Sequence, residues 1–315
     1  MNKMFYIGML ILVSMACRKE DPLKPSDWVD YFDVPEGASD EESVLRRQFK
    51  AETGCYLLFN DTLRKELIRY DQNGEAVYAV ETVDLSYSIA SAGRDKQSFR
   101  YLNSLDRKKE AVAFIKNNLL TLMPENNYPY SVLLVDSIYN TSFSYEQGEE
   151  DSGIYLSEEY VRYISGNRCL ALSAGDIGGM TDIERKEVII AILQGMITNR
   201  FAADARWAET FYVYYTGLYG LDDADLYYDY WEEAEGWNYN PDVREFGFLS
   251  GSIEYEEYLT SPTRAKDLED YLKVLLAGNE EEFLEENAGF PIVLNKYRIL
   301  KEIIASIGFD LSKVL

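Results

Sequence analysis

The chain has 315 residues, 55 Asp and Glu against 31 Lys and Arg, a formal net charge of -24 and no histidine. Without an imidazole, no Ser-His-Asp triad, Cys-His dyad or His-ligated zinc site can be built, because imidazole is the usual proton shuttle, nucleophile activator and zinc ligand. The acid excess leaves no clustered cations to hold polyphosphates, so nucleic acid is not an expected partner, while 47% hydrophobic and 14% aromatic residues are ample for a core.

Asn2 and Lys3 lead into a short apolar run, Met4 to Val13, and then Ser14-Met15-Ala16-Cys17. The run is about half of the roughly 20 residues that span a bilayer, so it predicts a signal-peptide core and a leader over residues 1–16. A small residue directly before Cys17, followed by the abrupt charges Arg18-Lys19-Glu20-Asp21, resembles a bacterial lipobox; the loose positions Ser14 and Met15 are tolerated in lipoproteins of Bacteroidetes. The resemblance implies acylation of Cys17 and anchorage to the outer membrane, at about 0.8 kcal/mol per buried methylene. Lys19-Glu20-Asp21 is similar to the acidic export tags that place such lipoproteins on the cell surface. Residues 17–40, rich in Pro, Asp and Ser, read as a tether. Cys55 and Cys169 then remain; their apolar, strand-like surroundings favour buried thiols, although an oxidising compartment permits a disulfide.

A single domain is expected over 41–315, mixed α and β over 41–180 and helical over 181–315. Asp40-Glu41-Glu42 opens a helix to about Glu52, strands are expected at Cys55–Phe59, Val77–Val83, Ser131–Ile138 and Arg168–Ser173, and an amphipathic helix covers 106–122. Thr181-Asp182-Ile183-Glu184 is a capping box whose hydroxyl and carboxylate satisfy the first free N–H groups. The run Val188 to Leu193 behind it predicts an almost wholly buried helix. Ser261-Pro262 starts another helix that Gly278 stops, Glu280 to Ala288 makes a short one, and Pro291 opens the last before Gly308. The fold class is α+β.

Arg244-Glu245-Phe246-Gly247-Phe248-Leu249-Ser250, Ser261-Pro262 leading into Lys266-Asp267-Leu268-Glu269-Asp270, Asn295-Lys296 and Ile307-Gly308-Phe309-Asp310-Leu311 resemble segments of the substrate-import-associated zinc metallohydrolase lipoproteins, zinc-binding metallopeptidases of Bacteroidetes. The resemblance implies a zincin-like scaffold and an accessory role beside a TonB-dependent, SusC/SusD-like nutrient uptake system, with an oligosaccharide, a peptide or a partner subunit as ligand. The family's chemistry rests on a His-Glu-x-x-His helix, in which two imidazoles one turn apart face a zinc ion and the Glu deprotonates metal-bound water. The corresponding positions here are Gln194, Gly195 and Thr198. Gln and Thr are poor zinc ligands and Gly carries no base, so no catalytic residue, metal or cofactor is expected and the chain reads as a catalytically inactive relative. Asp267, Glu269 and Asp270 survive as a residual acidic site, suited to a hard cation rather than zinc. The competing reading is an active hydrolase that uses atypical metal ligands, or a pair of carboxylates as in glycosidases.

The stretch 207–239 is dense in rings, with Tyr228, Trp231 and Trp237 among interleaved acids. Such composition suits stacking on sugars or holding peptides, and equally suits packing over a lost cleft.

Overall fold

A computed structural model describes residues 29–85, 96–147, 152–166, 168–212, 242–254, 258–260 and 262–309. The chain divides into two compact units, residues 1–31 and 32–315. Of the first, only 29–31 are described, so the expected leader, Cys17 and most of the tether lie outside the described residues. The second unit begins at Phe32, earlier than the expected 41. Phe32 is buried, its carbonyl accepts from Arg46, and Asp33 pairs with Lys50 at 2.6 Å.

Helix α1 (Glu41–Thr53) follows, with Asp40 accepting the Ser43 N–H at 2.9 Å as its cap and Gly54 ending it at φ 76°, a left-handed conformation that glycine adopts without strain. The chain continues through β1 (Tyr56–Leu58), the hairpin β2 (Thr62–Tyr70) and β3 (Ala76–Thr82), β4 (Lys96–Arg100) and helix α2 (Leu105–Phe114). The helix expected over 106–122 loosens after Phe114 into a π turn, Ile115–Leu119, and a tight turn, Leu120–Leu122. Next come β5 (Ser131–Val135), β6 (Ser137–Gln147), β7 (Ser152–Val161), β8 (Tyr163–Ser165) and β9 (Cys169–Ser173). The second half is helical, as expected: α3 (Asp182–Ala203), α4 (Ala205–Phe211), α5 (Arg264–Ala277), α6 (Glu280–Glu286) and α7 (Pro291–Ile307), with one small hairpin, β10 (Ser252–Glu254) and β11 (Tyr258–Thr260). The α+β class is therefore correct. Among the described residues no single helix is long and apolar enough to cross a membrane.

The central sheet has the order β1-β5-β9-β8, its first three strands parallel and β8 an antiparallel edge. Every residue of β5 and β9 is buried, which is why both read as unbroken apolar runs. Side chains alternate across the sheet: Leu57, Val132, Leu134, Leu170 and Leu172 join the large core beneath the helices, while Leu58, Leu133, Val135, Cys169 and Ala171 form a smaller one with Phe32, Val83 and Ile138. Cys55 and Cys169 are buried free thiols. Burial pushes both upward in pKa, Cys169 to about 11.

Candidate functional site

The capping box at the start of α3 forms as the residues dictate: the Thr181 N–H donates to Glu184 Oε2 at 2.7 Å and the Glu184 N–H to Thr181 Oγ1 at 3.3 Å. Val188, Ile189, Ile192, Leu193, Ile197 and Phe201 are buried while Ile183 is exposed. The helix is thus buried along one stripe at helical spacing, not almost wholly. Gln194, Gly195 and Thr198 lie half-buried at the margin of that stripe, where α3 packs against the edge strand β8.

Tyr163 of β8 covers this margin. A Cβ placed on Gly195 would lie 2.6 Å from the Tyr163 hydroxyl oxygen and 3.0 Å from its Cε2, well inside van der Waals contact. Close packing of a phenol ring therefore accounts for a mid-helix glycine that costs about 1 kcal/mol relative to alanine. Burial pushes the Tyr163 hydroxyl up in pKa, so it stays a neutral phenol and cannot serve as a base near neutral pH. Beside it, Gln194 Nε2 donates to the Glu269 carbonyl at 3.4 Å, and Asn199 Nδ2 donates to the carbonyl and hydroxyl of Ser165 at 3.3 and 3.4 Å. These long, neutral bonds tie α3 to α5 and to the sheet edge.

No protein-family model, curated protein or solved structure matches this chain. What the site can do rests on its own geometry.

The three acids of α5 do not converge: Glu269 lies about 200° round the helix from Asp267, and Asp270, one turn on from Asp267, is held by partners of its own. Asp267 turns inward, where it and Lys296 of α7 are fully buried, the Lys296 Nζ lying 2.7 and 2.6 Å from its two carboxylate oxygens. The same ammonium donates to the Gly247 carbonyl at 3.1 Å, which accounts for its three donors. The rings of Phe211, Phe248 and Tyr271 surround it at 4.9, 5.1 and 4.6 Å, and Tyr271 also donates to the Gly247 carbonyl at 2.7 Å. Burial holds the Lys296 pKa below its usual value, against the opposing pull of the Asp267 carboxylate. Glu269 is exposed, and Asp270 accepts from the Ser250 hydroxyl and pairs with Lys266 at 2.8 Å. Among the described residues no group of three or more Cys, Asp or Glu side chains could hold a metal ion. Of the acids expected as a residual site, Asp267 is in a buried ion pair, Asp270 is part-buried with Ser250 and Lys266, and Glu269 is exposed. Lys296 carried a signal of its own: it shares a stripe with Val293, Tyr297, Leu300 and Ile304, and a cation in an apolar stripe has to be paired when buried.

Along the first turns of α3 runs an open cleft of about 330 Å³ lined by Arg162, Asp176, Met180, Glu184, Glu187 and Val188. Arg162 grips Asp176 with two bonds of 2.6 and 2.9 Å and holds its carboxyl below the usual carboxylate range. The Thr181 N–H and hydroxyl do the same for Glu184. Asp176 and Glu184 are thus committed to internal partners, and the cleft offers carboxylate acceptors over an apolar floor.

Tyr228, Trp231 and Trp237 lie outside the described residues. The described start of the ring-rich stretch is packing: Trp207 lies against the core, Phe211 stands edge-on to Phe201 at 5.7 Å, and the Tyr212 hydroxyl donates to the Arg264 carbonyl at 2.6 Å.

Proposed function

We propose that this chain is an outer-membrane lipoprotein, acylated at Cys17 and facing the cell surface, whose body is a zincin-like scaffold without peptidase chemistry. It serves a SusC/SusD-like, TonB-dependent nutrient uptake system by binding an oligosaccharide, a peptide or a partner subunit rather than by cleaving it. The observation that carries this reading is Tyr163 against Gly195: a phenol ring fills the space that a general base on α3 would need, in a chain that has no imidazole to hold zinc beside it. A long capped helix lying against the antiparallel edge strand of a mixed sheet supports the scaffold.

Metal analysis of the purified chain, paired with peptide-hydrolysis assays, tests the loss of chemistry. The expected result is no stoichiometric zinc and no turnover; one zinc per chain with cleavage would overturn the proposal. For binding, Trp231→Ala and Trp237→Ala are expected to weaken retention in affinity electrophoresis on glycan gels with the melting temperature unchanged. Unchanged retention with a lowered melting temperature would assign these rings to packing.

A further inference from the structure

We infer that the β2–β3 hairpin is a self-association surface, whose occupant is the same hairpin of a second copy of this chain. The two strands form a sheet of their own, joined to no other strand among the described residues. Their register sets Lys65 opposite Val80, Leu67 opposite Tyr78 and Tyr70 opposite Ala76, and the irregularity at Ile68 returns Tyr70 to the face that Leu67 occupies. One face therefore carries Leu67, Tyr70, Ala76, Tyr78 and Val80, with Lys65 laid across the Tyr78 ring at 4.5 Å. The other carries Arg64, Glu66, Arg69 and Glu81, with Arg64 and Glu66 paired. At the base of the hairpin Leu63 packs against the small cluster, and beyond it the two strands run out into solvent. There Leu67, Ile68, Tyr70, Tyr78 and Val80 are between 45% and 64% exposed.

Area and charge both favour a second copy. Two tyrosines and three aliphatic side chains at about half exposure leave on the order of 500 Å² of apolar surface, as large as the patches that mark interaction sites. Two such faces together cover on the order of 1,000 Å², the lower bound for a specific interface. Residues 62–82 hold three cations and four carboxylates, a net charge of -1 in a chain of -24. Most of the self-repulsion thus resides elsewhere, and two acidic bodies can meet through this near-neutral hairpin at little Coulombic cost. A two-fold pairing of the faces also closes the assembly at a dimer.

Sedimentation equilibrium of the full chain is the test. A concentration-dependent species of twice 36.3 kDa is expected, favoured by added salt, which screens the repulsion between the bodies. Leu67→Thr with Tyr78→Thr keeps strand-forming residues and is expected to weaken association by more than about tenfold with the circular dichroism unchanged. Val80→Glu and Val80→Lys chains are each expected to be monomeric alone and to associate when mixed. A monomer at every concentration overturns the inference, as does a dimer indifferent to these substitutions. A monomer that floats with phosphatidylglycerol vesicles through the same residues would overturn it in favour of a membrane surface.

Discussion

Two of the polar contacts of helix α5 are of opposite character. On its inner side Asp267 meets Lys296 at 2.6 Å inside a cage of three rings; on its margin toward α3, the Glu269 carbonyl receives a bond of 3.4 Å from Gln194. The first is charged, short and dry, and it fixes the Gly247 turn to α5 and α7. The second is neutral and long, beside a glycine covered by Tyr163. Charge is thus kept where the packing depends on it, and the margin toward α3 is held by neutral groups. A buried charge is therefore weak support for an active site unless a cavity reaches it.

The largest expected effect breaks the inner contact. Lys296→Met alone leaves the Asp267 carboxylate buried without its cation and is expected to cost about 3–5 kcal/mol in urea unfolding. Lys296→Met combined with Asp267→Leu is expected to recover most of that loss, since two apolar chains need no compensation. If the single variant proves as mild as the double, the pair is not the lock described here.

A smaller effect concerns Cys169, a buried group with no partner charge to retain its ionised form. Its folded pKa is raised from 9.0 to about 11, so the folded chain holds the proton longer than the unfolded one. Stability is full below pH 9 and falls as the pH rises toward 11, by on the order of 2–3 kcal/mol. Unfolding curves of wild type and Cys169→Ala across that range are expected to diverge with pH; parallel curves would remove Cys169 as the cause.

Smallest is the outer margin. Gly195→Ala gains about 1 kcal/mol of helix propensity but collides with the Tyr163 hydroxyl, so it is expected to be neutral or mildly destabilising. In a Tyr163→Ala background the same change is expected to stabilise by about 1 kcal/mol. A double-mutant cycle with no coupling between the two positions would separate Tyr163 from Gly195 and remove the main support for a covered site.

Much of the framework was legible because local chemistry and burial agreed. Asp40, the Thr181 capping box, Pro291, Gly278 and Gly308 mark helix ends by rules that need no tertiary context, and the wholly buried β5 and β9 announce themselves as apolar runs. The segments Thr62–Tyr70 and Ser152–Val161 did not, because strands paired largely outside the core carry charged and polar residues that the alternation rule reads as loop. The packing of Gly195 was not legible, because the ring against it comes from Tyr163, on a short edge strand with no signal of its own. Asp267 was grouped with Glu269 and Asp270 through the family resemblance, whereas its partner, Lys296, lies on another helix.

The parallel order of the central sheet also constrains how the chain reaches this state. Ser131 must meet both Tyr56 and Cys169, pairings between remote segments, whereas β2 with β3 and β6 with β7 close locally. Local closures cost less entropy and form early. The hairpins therefore precede the sheet centre, and the interior that buries Cys169 cannot assemble until the chain is available to residue 173 and beyond. The apolar β5 run thus lacks its β9 partner until residue 173 has been made, and exposed apolar strands of that kind are where aggregation starts.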